Sequence, residues 1–191
     1  MDDGSIRWAA KSLEAPKDDS LLTGCCSIYK SLICAINCAS PLNKEKLNWT
    51  KPVEKLENAI KNKPESFDKT WESKKRFSMD WYYPVLCGAI AGKKAEERIN
   101  SQWNKYVINE KGCLCVLDQP WVTIAETAEL AISLIKIQKK DKATELLSWI
   151  NDCIDSDGAY WMGRQVTEKV FWPMEKPGWT SAAVILAYDA L

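Results

Sequence analysis

Residues 27–39 place Ile28, Leu32 and Ile36 in line with Ile33 beside them, the spacing of an apolar helix face. Residues 53–61 follow with Glu54, Lys55 and Glu57 on a polar face, and Pro64 ends the pattern. Residues 80–91 are almost wholly apolar after Asp80, whereas 94–107 are polar over most of their surface. The alternation repeats: 121–138 apolar, 141–154 mixed, 179–191 apolar again. A helix apolar on nearly all sides must be surrounded, while an amphipathic one can face water. Stacked hairpins with apolar helices inside and amphipathic ones outside meet both demands. No segment carries a convincing strand pattern, so the expected fold is all-α.

The connections carry their own signal. Asp157-Gly158-Ala159-Tyr160-Trp161 sits between helical patterns, and Asp3-Gly4-Ser5 with Trp8 echoes it at the start of the chain. Gly158 is expected in a left-handed conformation after a helix, with Tyr160 and Trp161 packing back over neighbouring helix ends. Trp121-Val122-Thr123-Ile124-Ala125 and Trp179-Thr180-Ser181-Ala182-Ala183 each open an apolar helix after a Pro-containing turn. Trp81 stands about 40 residues before Trp121, a period of helical-repeat architectures.

The composition narrows the chemistry. The 191 residues suit one domain, 1–191, and 26 basic against 26 acidic residues give no net charge to draw nucleic acid. There is no His, which removes the commonest general base and zinc ligand. Proton transfer falls to Asp, Glu, Tyr, Lys or Cys. The eight Cys lie mostly in apolar patterns and read as reduced, cytoplasmic packing residues. Cys113 and Cys115 could bind a soft metal, but no second pair stands at ligand spacing, so no metal or other cofactor is expected. The apolar run 182–191, broken by Asp189, is too short to span a bilayer. Ten Trp spread along the chain could build a core, line a cavity, or both.

Residues 143–161, ATELLSWINDCIDSDGAYW, resemble the QW-type repeat of squalene and oxidosqualene cyclases and of protein prenyltransferase β-subunits, with Ile154 where that repeat has Gln. TWESKKRFSMDWYYPVLCGAIAG, DQPWVTIAETAEL and DGAYWMG with the following WP and WTSAAVILAYDAL are similar to a bacterial prenyltransferase- or squalene-cyclase-like group, over nearly the whole chain. The resemblance implies an α/α toroid with inner helices around a cavity. Such a ring takes roughly six hairpins of ~45 residues, so three to four fit here. The chain is then expected to be a C-terminal portion of a larger ring, or one completed by a second chain or by self-association. Two features of the characterised families are missing: the Asp-x-Asp-Asp motif, and the zinc set that requires His.

Residues preceding the inner helices of a toroid converge on one rim. The candidates are Asp80, Trp81, Tyr82 and Tyr83; Asp118, Trp121 and Glu126; and Arg164, Trp172, Glu175 and Trp179, with Trp161 at the cavity mouth. Each has a plainer reading. Glu126 stands three residues after Thr123 in a capping-box pattern, Asp80 could cap its helix, and Asp118 could shape a turn. Glu129 shares a face with Glu126. Lys74-Lys75-Arg76 reads as a solvated loop, or more sharply as a grip on a diphosphate.

Aromatic faces beside isolated carboxylates suit two ligands. They stabilise the cations of isoprenoid chemistry, and they stack on sugar rings that paired carboxylates can cleave. The leading expectation is a hydrophobic or isoprenoid ligand in an aromatic-lined cavity, with Asp80, Glu126 and Asp118 as catalytic candidates and peripheral membrane contact left open. The alternatives are a carbohydrate-active toroid and a non-catalytic scaffold completed by a partner. The cysteine reading gives a direct test: thiol labelling of the denatured, unreduced protein should modify all eight Cys, and fewer than six would indicate disulfides or a bound metal.

Overall fold

The computed structural model describes residues 1–8, 19–42 and 47–191. The chain divides into two compact units, Met1–Lys74 with Cys87–Ile90, and Lys75–Leu86 with Ala91–Leu191.

The first unit pairs helix α1 (Leu22–Ala39) with α2 (Leu47–Asn62). Cys25, Cys26 and Tyr29 of α1 and Val53, Leu56, Ala59 and Ile60 of α2 are buried. By length and composition alone Leu22–Leu42 would also suffice to cross a membrane. Pro64 stops α2 as expected, because it holds the preceding Lys63 out of the helical region. The buried Asp19 accepts hydrogen bonds from the amides of Ser20, Lys69 and Thr70 and from the Thr70 hydroxyl at 2.7 Å. Burial pushes its carboxyl up, but these bonds outweigh it and hold the group below its ordinary value. At the N-terminal turn Gly4 has φ +95°, and a Cβ there would lie 2.4 Å from the Lys55 carbonyl oxygen of α2. Only glycine fits so close a backbone approach.

The second unit is built around α5 (Ile124–Lys136), which packs against α3 (Ser78–Leu86), α6 (Lys140–Ser148) and α7 (Gly178–Ala190). Ile124, Thr127, Ala128, Leu130, Ala131, Ser133 and Leu134 of α5 are buried, which leaves a half-open stripe containing Ala125, Glu129 and Ile132. Helix α4 (Gly92–Tyr106) lies against α3 and buries Ala95, Ile99 and Tyr106 only, the one-sided pattern expected of it. The short α3 contains Pro84, which has no amide hydrogen for the carbonyl of Asp80 four residues earlier. Arg98 of α4 supplies the donor: its Nη2 reaches the Asp80 carbonyl at 2.9 Å and its Nε the Trp81 carbonyl at 2.6 Å. Trp81 returns a bond from Nε1 to the Arg98 carbonyl, 2.8 Å, and stacks on Tyr106 at 5.2 Å.

The all-α expectation is wrong. Strands β1 (Val107–Ile108) and β2 (Gly112–Cys113) form one antiparallel pair, and β3 (Trp121–Thr123), β4 (Gly163–Gln165) and β5 (Val170–Phe171) form a three-stranded antiparallel sheet in that order. Trp121 pairs with Gln165, Thr123 with Gly163, and Arg164 with Phe171. Strands of two or three residues show no period-2 pattern, and the apolar β3 runs straight into α5. Trp121-Val122-Thr123 is aromatic and β-branched, so it takes the extended conformation once β4 offers backbone partners. The expected helix over 141–154 is likewise shorter, ending at Ser148 before a 3-10 turn, Asn151–Cys153.

The two Asp-Gly turns share a geometry. The Ser5 amide donates to Asp3 at 2.9 Å and the Ala159 amide to Asp157 at 3.0 Å, with Gly4 and Gly158 both at positive φ. These are Asx turns. Gly158 is left-handed as expected, but it sits in a turn closed by the Ile154–Tyr160 bridge, not at a helix end. The Tyr160 amide meets Ser181 of α7 at 3.3 Å, while Trp161 stacks on Phe171 of β5.

The Arg98 clamp is open to test. Arg98→Ala leaves carbonyls of α3 unsatisfied and should cost about 2–4 kcal/mol in chemical denaturation. Arg98→Lys should recover only part, since an ammonium lacks the forked geometry.

Candidate active site

Glu126 and Glu129 lie one turn apart in the N-terminal half of α5, both half-buried. Residues at this spacing are neighbours on a helix surface. Two consecutive tyrosines of α3 close on Glu129: the Tyr82 hydroxyl donates to Oε2 at 2.5 Å and the Tyr83 hydroxyl to Oε1 at 3.2 Å. Tyr82 is fully buried and its ring lies 5.5 Å from that of Tyr83. Burial, and then the charge of Glu129 and Glu126, keeps the Tyr82 hydroxyl protonated far above its ordinary range. It is therefore a fixed donor.

Burial is also the first cause at Glu129. Desolvation raises its carboxyl above the ordinary value, the bond from Tyr82 opposes this, and the neighbouring Glu126 adds to the rise. A glutamate raised by burial beside a second carboxyl group is the setting of acid-base chemistry. The Cys115 thiol adjoins Glu126, and burial with that neighbour pushes it up to about 12. Cys113, fully buried, is raised for the same first reason. Burial thus disfavours the thiolate form at both positions. Among the described residues no group of three or more His, Cys, Asp or Glu could hold a metal ion.

The capping-box reading of Glu126 fails in this geometry. Thr123 precedes the first residue of α5 but makes no side-chain cap, and its buried hydroxyl has no hydrogen-bond partner. Thr127 binds the Thr123 carbonyl at 2.6 Å and receives the Cys113 amide at 2.9 Å. Glu126 is thus not recruited to the helix end.

Asp80 and Trp81 lie elsewhere, on a cleft of about 570 Å³ between α3 and α4 that Lys75, Arg76, Arg98 and Lys105 also line. Asp80 is buried in the first turn of α3, not at its cap position. Asp118 is exposed and takes both its bonds from Arg76, 2.7 and 2.6 Å, which holds its carboxyl below the ordinary value. Within the basic run, Arg76 is so engaged and Lys74 lies 5.8 Å from the Trp71 ring. Arg164 is engaged separately: it binds Asp152 through both Nη atoms and the Trp149 carbonyl at 2.8 Å.

The aromatic candidates separate in the same way. Trp121 and Trp172 meet edge to face at 5.2 Å, and the Trp121 indole nitrogen donates to the Trp172 carbonyl at 2.6 Å. Trp161 lies between Phe171 and Lys176, whose ammonium is 5.1 Å from its ring and bound to Asp155 and Asp157. Trp179, at the start of α7, is 65% exposed. Glu175 contributes its carbonyl to the Met162 amide. The structure therefore joins Tyr82, Tyr83 and Glu126 around Glu129, joins Trp121 to Trp172, and leaves Asp80, Asp118, Arg164 and Trp179 outside both groups. In the sequence Glu129 stands out only for sharing a face with Glu126; the tyrosine pair that singles it out is a tertiary contact.

The sequence matches no known family model. It is 43% identical over 188 residues to the MMP endo-(1,4)-3-O-methyl-alpha-D-mannosidase of Mycolicibacterium hassiacum. The alignment takes in 98% of this chain and 51% of that protein, so the chain spans about half the length of the curated relative it matches. The relative is a glycosidase by name, which overturns the terpenoid, prenyltransferase and transferase expectation and favours its carbohydrate alternative.

The raised carboxyl has a signed consequence for stability. Below the ordinary glutamate value of 4.5, folded and unfolded states both hold the Glu129 proton and its contribution is complete. As pH rises through the higher folded-state value, that contribution is lost. Glu129→Gln keeps an acceptor oxygen for one tyrosine hydroxyl and does not titrate, so whatever its offset from the lost second bond, its stability relative to the wild type should rise with pH between about pH 4 and pH 7. Melts of the two proteins across that range check this; a relative stability that stays constant or falls contradicts it.

Proposed function

We propose that the chain carries glycosidase chemistry, cleaving a 1,4-linked α-mannoside whose sugars bear 3-O-methyl groups. The observation that carries this is the Glu126–Glu129 pair, with Glu129 raised by burial and fixed by two tyrosine hydroxyls. Support comes from the mannosidase relative, 43% identical along almost the whole chain.

In this reading Glu129 is the acid. It passes its proton to the glycosidic oxygen as the bond to the anomeric carbon breaks, and the charge left behind is shared with the Tyr82 and Tyr83 hydroxyls. Glu126 supplies the second carboxylate, facing the anomeric carbon or the water that attacks it. The chemistry calls for neither histidine nor metal, in keeping with the composition. Asp80 then belongs to the α3–α4 cleft and Asp118 to its ion pair with Arg76. An α/α toroid, with this chain supplying part of the ring, is the architecture in which α5 would present its half-open stripe to a cavity.

The test uses an oligomer of 1,4-linked 3-O-methyl-α-mannose and the chain as it stands. The wild type should release shorter fragments. Glu126→Gln and Glu129→Gln should each lower turnover by about 10² or more while remaining folded. Turnover within a few-fold of wild type in both variants, or no cleavage by the wild type, overturns the proposal.

A further inference from the structure

In the T-shaped pair Trp121–Trp172, Trp121 is half-buried and Trp172 is exposed where aromatic residues are normally buried. Trp172 is 55% exposed and Met174, two residues on, 77%. The exposure is not slack. Trp121 belongs to β3, its ring lies over Gly163 of β4, and a Cβ on that glycine would stand 2.5 Å from the Trp121 indole nitrogen. The Trp172 amide donates to the Gly163 carbonyl at 3.0 Å, and the Trp172 carbonyl accepts the Trp121 N–H. Both tryptophans are thereby fastened to the same glycine. The indole N–H of Trp121 is taken up by the Trp172 carbonyl, so the pair offers apolar surface backed by the sheet.

Rigid, solvent-facing aromatics cost little conformational entropy when they bind, and apolar ligand faces are what they take. The position is informative too. Trp121 opens the strand that becomes α5, so Glu126 follows it by two strand residues, about 3.3 Å each, and the first turn of the helix. We propose that Trp172, with Trp121 behind it and Met174 beside it, is a sugar-binding ledge next to the carboxylate pair that selects O-methylated over unmethylated sugar rings. The carbon face of a pyranose lies on the Trp172 ring, and a methyl ether occupies apolar surface where a hydroxyl would lose its hydrogen bonds to water. This rests on the glycosidase reading for the identity of the ligand, and adds to it which residues set the specificity.

The experiment measures both binding and cleavage. Saturation-transfer NMR and kinetics are run with 1,4-linked oligomers of 3-O-methyl-α-mannose and of unmethylated α-mannose, on the wild type, Trp172→Ala and Leu186→Ala. Leu186 is an equally exposed apolar residue on α7, at 60%, and controls for general loss of apolar surface. The ledge predicts that the wild type binds the methylated oligomer at least tenfold more tightly than the unmethylated one. Trp172→Ala should raise KM for the methylated oligomer tenfold or more, with a smaller effect on kcat, and abolish the preference, whereas Leu186→Ala should keep it. Cleavage with a KM and preference unchanged in Trp172→Ala overturns the ledge and leaves the glycosidase reading intact. Binding without cleavage that still depends on Trp172 keeps the ledge and overturns the glycosidase reading. A wild type that neither binds nor cleaves overturns both.

Discussion

Two tyrosine hydroxyls closing on one carboxyl are the constraint on which the second unit depends. Glu129 lies on a helix buried on most of its circumference, where an unpaired carboxylate would be costly. Tyr82 and Tyr83 make its place tolerable and fix α3 to α5 at the same point. They can do so only if α3 holds its shape, and α3 is short and interrupted by Pro84. Arg98 from α4 caps the Asp80 carbonyl that the proline strands, and also binds the carbonyl of Trp81. A line of dependence thus runs from the one-sided helix α4 through α3 to the carboxyl.

The sheet performs the matching task at the start of α5. Gly112 lets β2 approach so closely that a Cβ there would be 2.6 Å from the Thr127 hydroxyl, and that hydroxyl receives the Cys113 amide. Strand β3 is then paired to β4 through Gly163, which sets the direction in which α5 begins and where Trp121 points. A single strand-to-helix junction leads from Trp121 in β3 to Glu126 in the first turn of α5. That arrangement gives the proposed acid, second carboxylate and sugar ledge a common frame.

Much of this was readable in the sequence and some of it was not, for physical reasons. The alternation of all-round and one-sided apolar patterns located α3 to α7, because burial leaves a periodic trace several turns long. Gly158 and Gly4 were legible as turns because the Asp side chain beside each acts locally. The strands were not, since two or three residues carry no period and their pairing is set by distant partners. Glu126 looked like a capping-box residue because that pattern is judged by spacing, whereas the cap depends on a Thr123 hydroxyl that points elsewhere. The bond that Asp118 takes from Arg76, 42 positions away in the chain, is a tertiary contact with no local trace in the sequence. The ligand class was ambiguous at source: a π-face serves a carbocation and a sugar ring equally well, and composition does not separate them.

The central claim is that Glu129 is a carboxyl raised by burial and by Glu126 and held in place by Tyr82 and Tyr83. A ¹³C NMR titration of the Glu129 side chain tests it most directly. The account predicts a midpoint above the ordinary 4.5, which falls in Glu126→Gln as the neighbouring charge is removed and rises further in Tyr82→Phe as the stabilising donor is lost. A midpoint at or below the ordinary value, unmoved by either substitution, would contradict it.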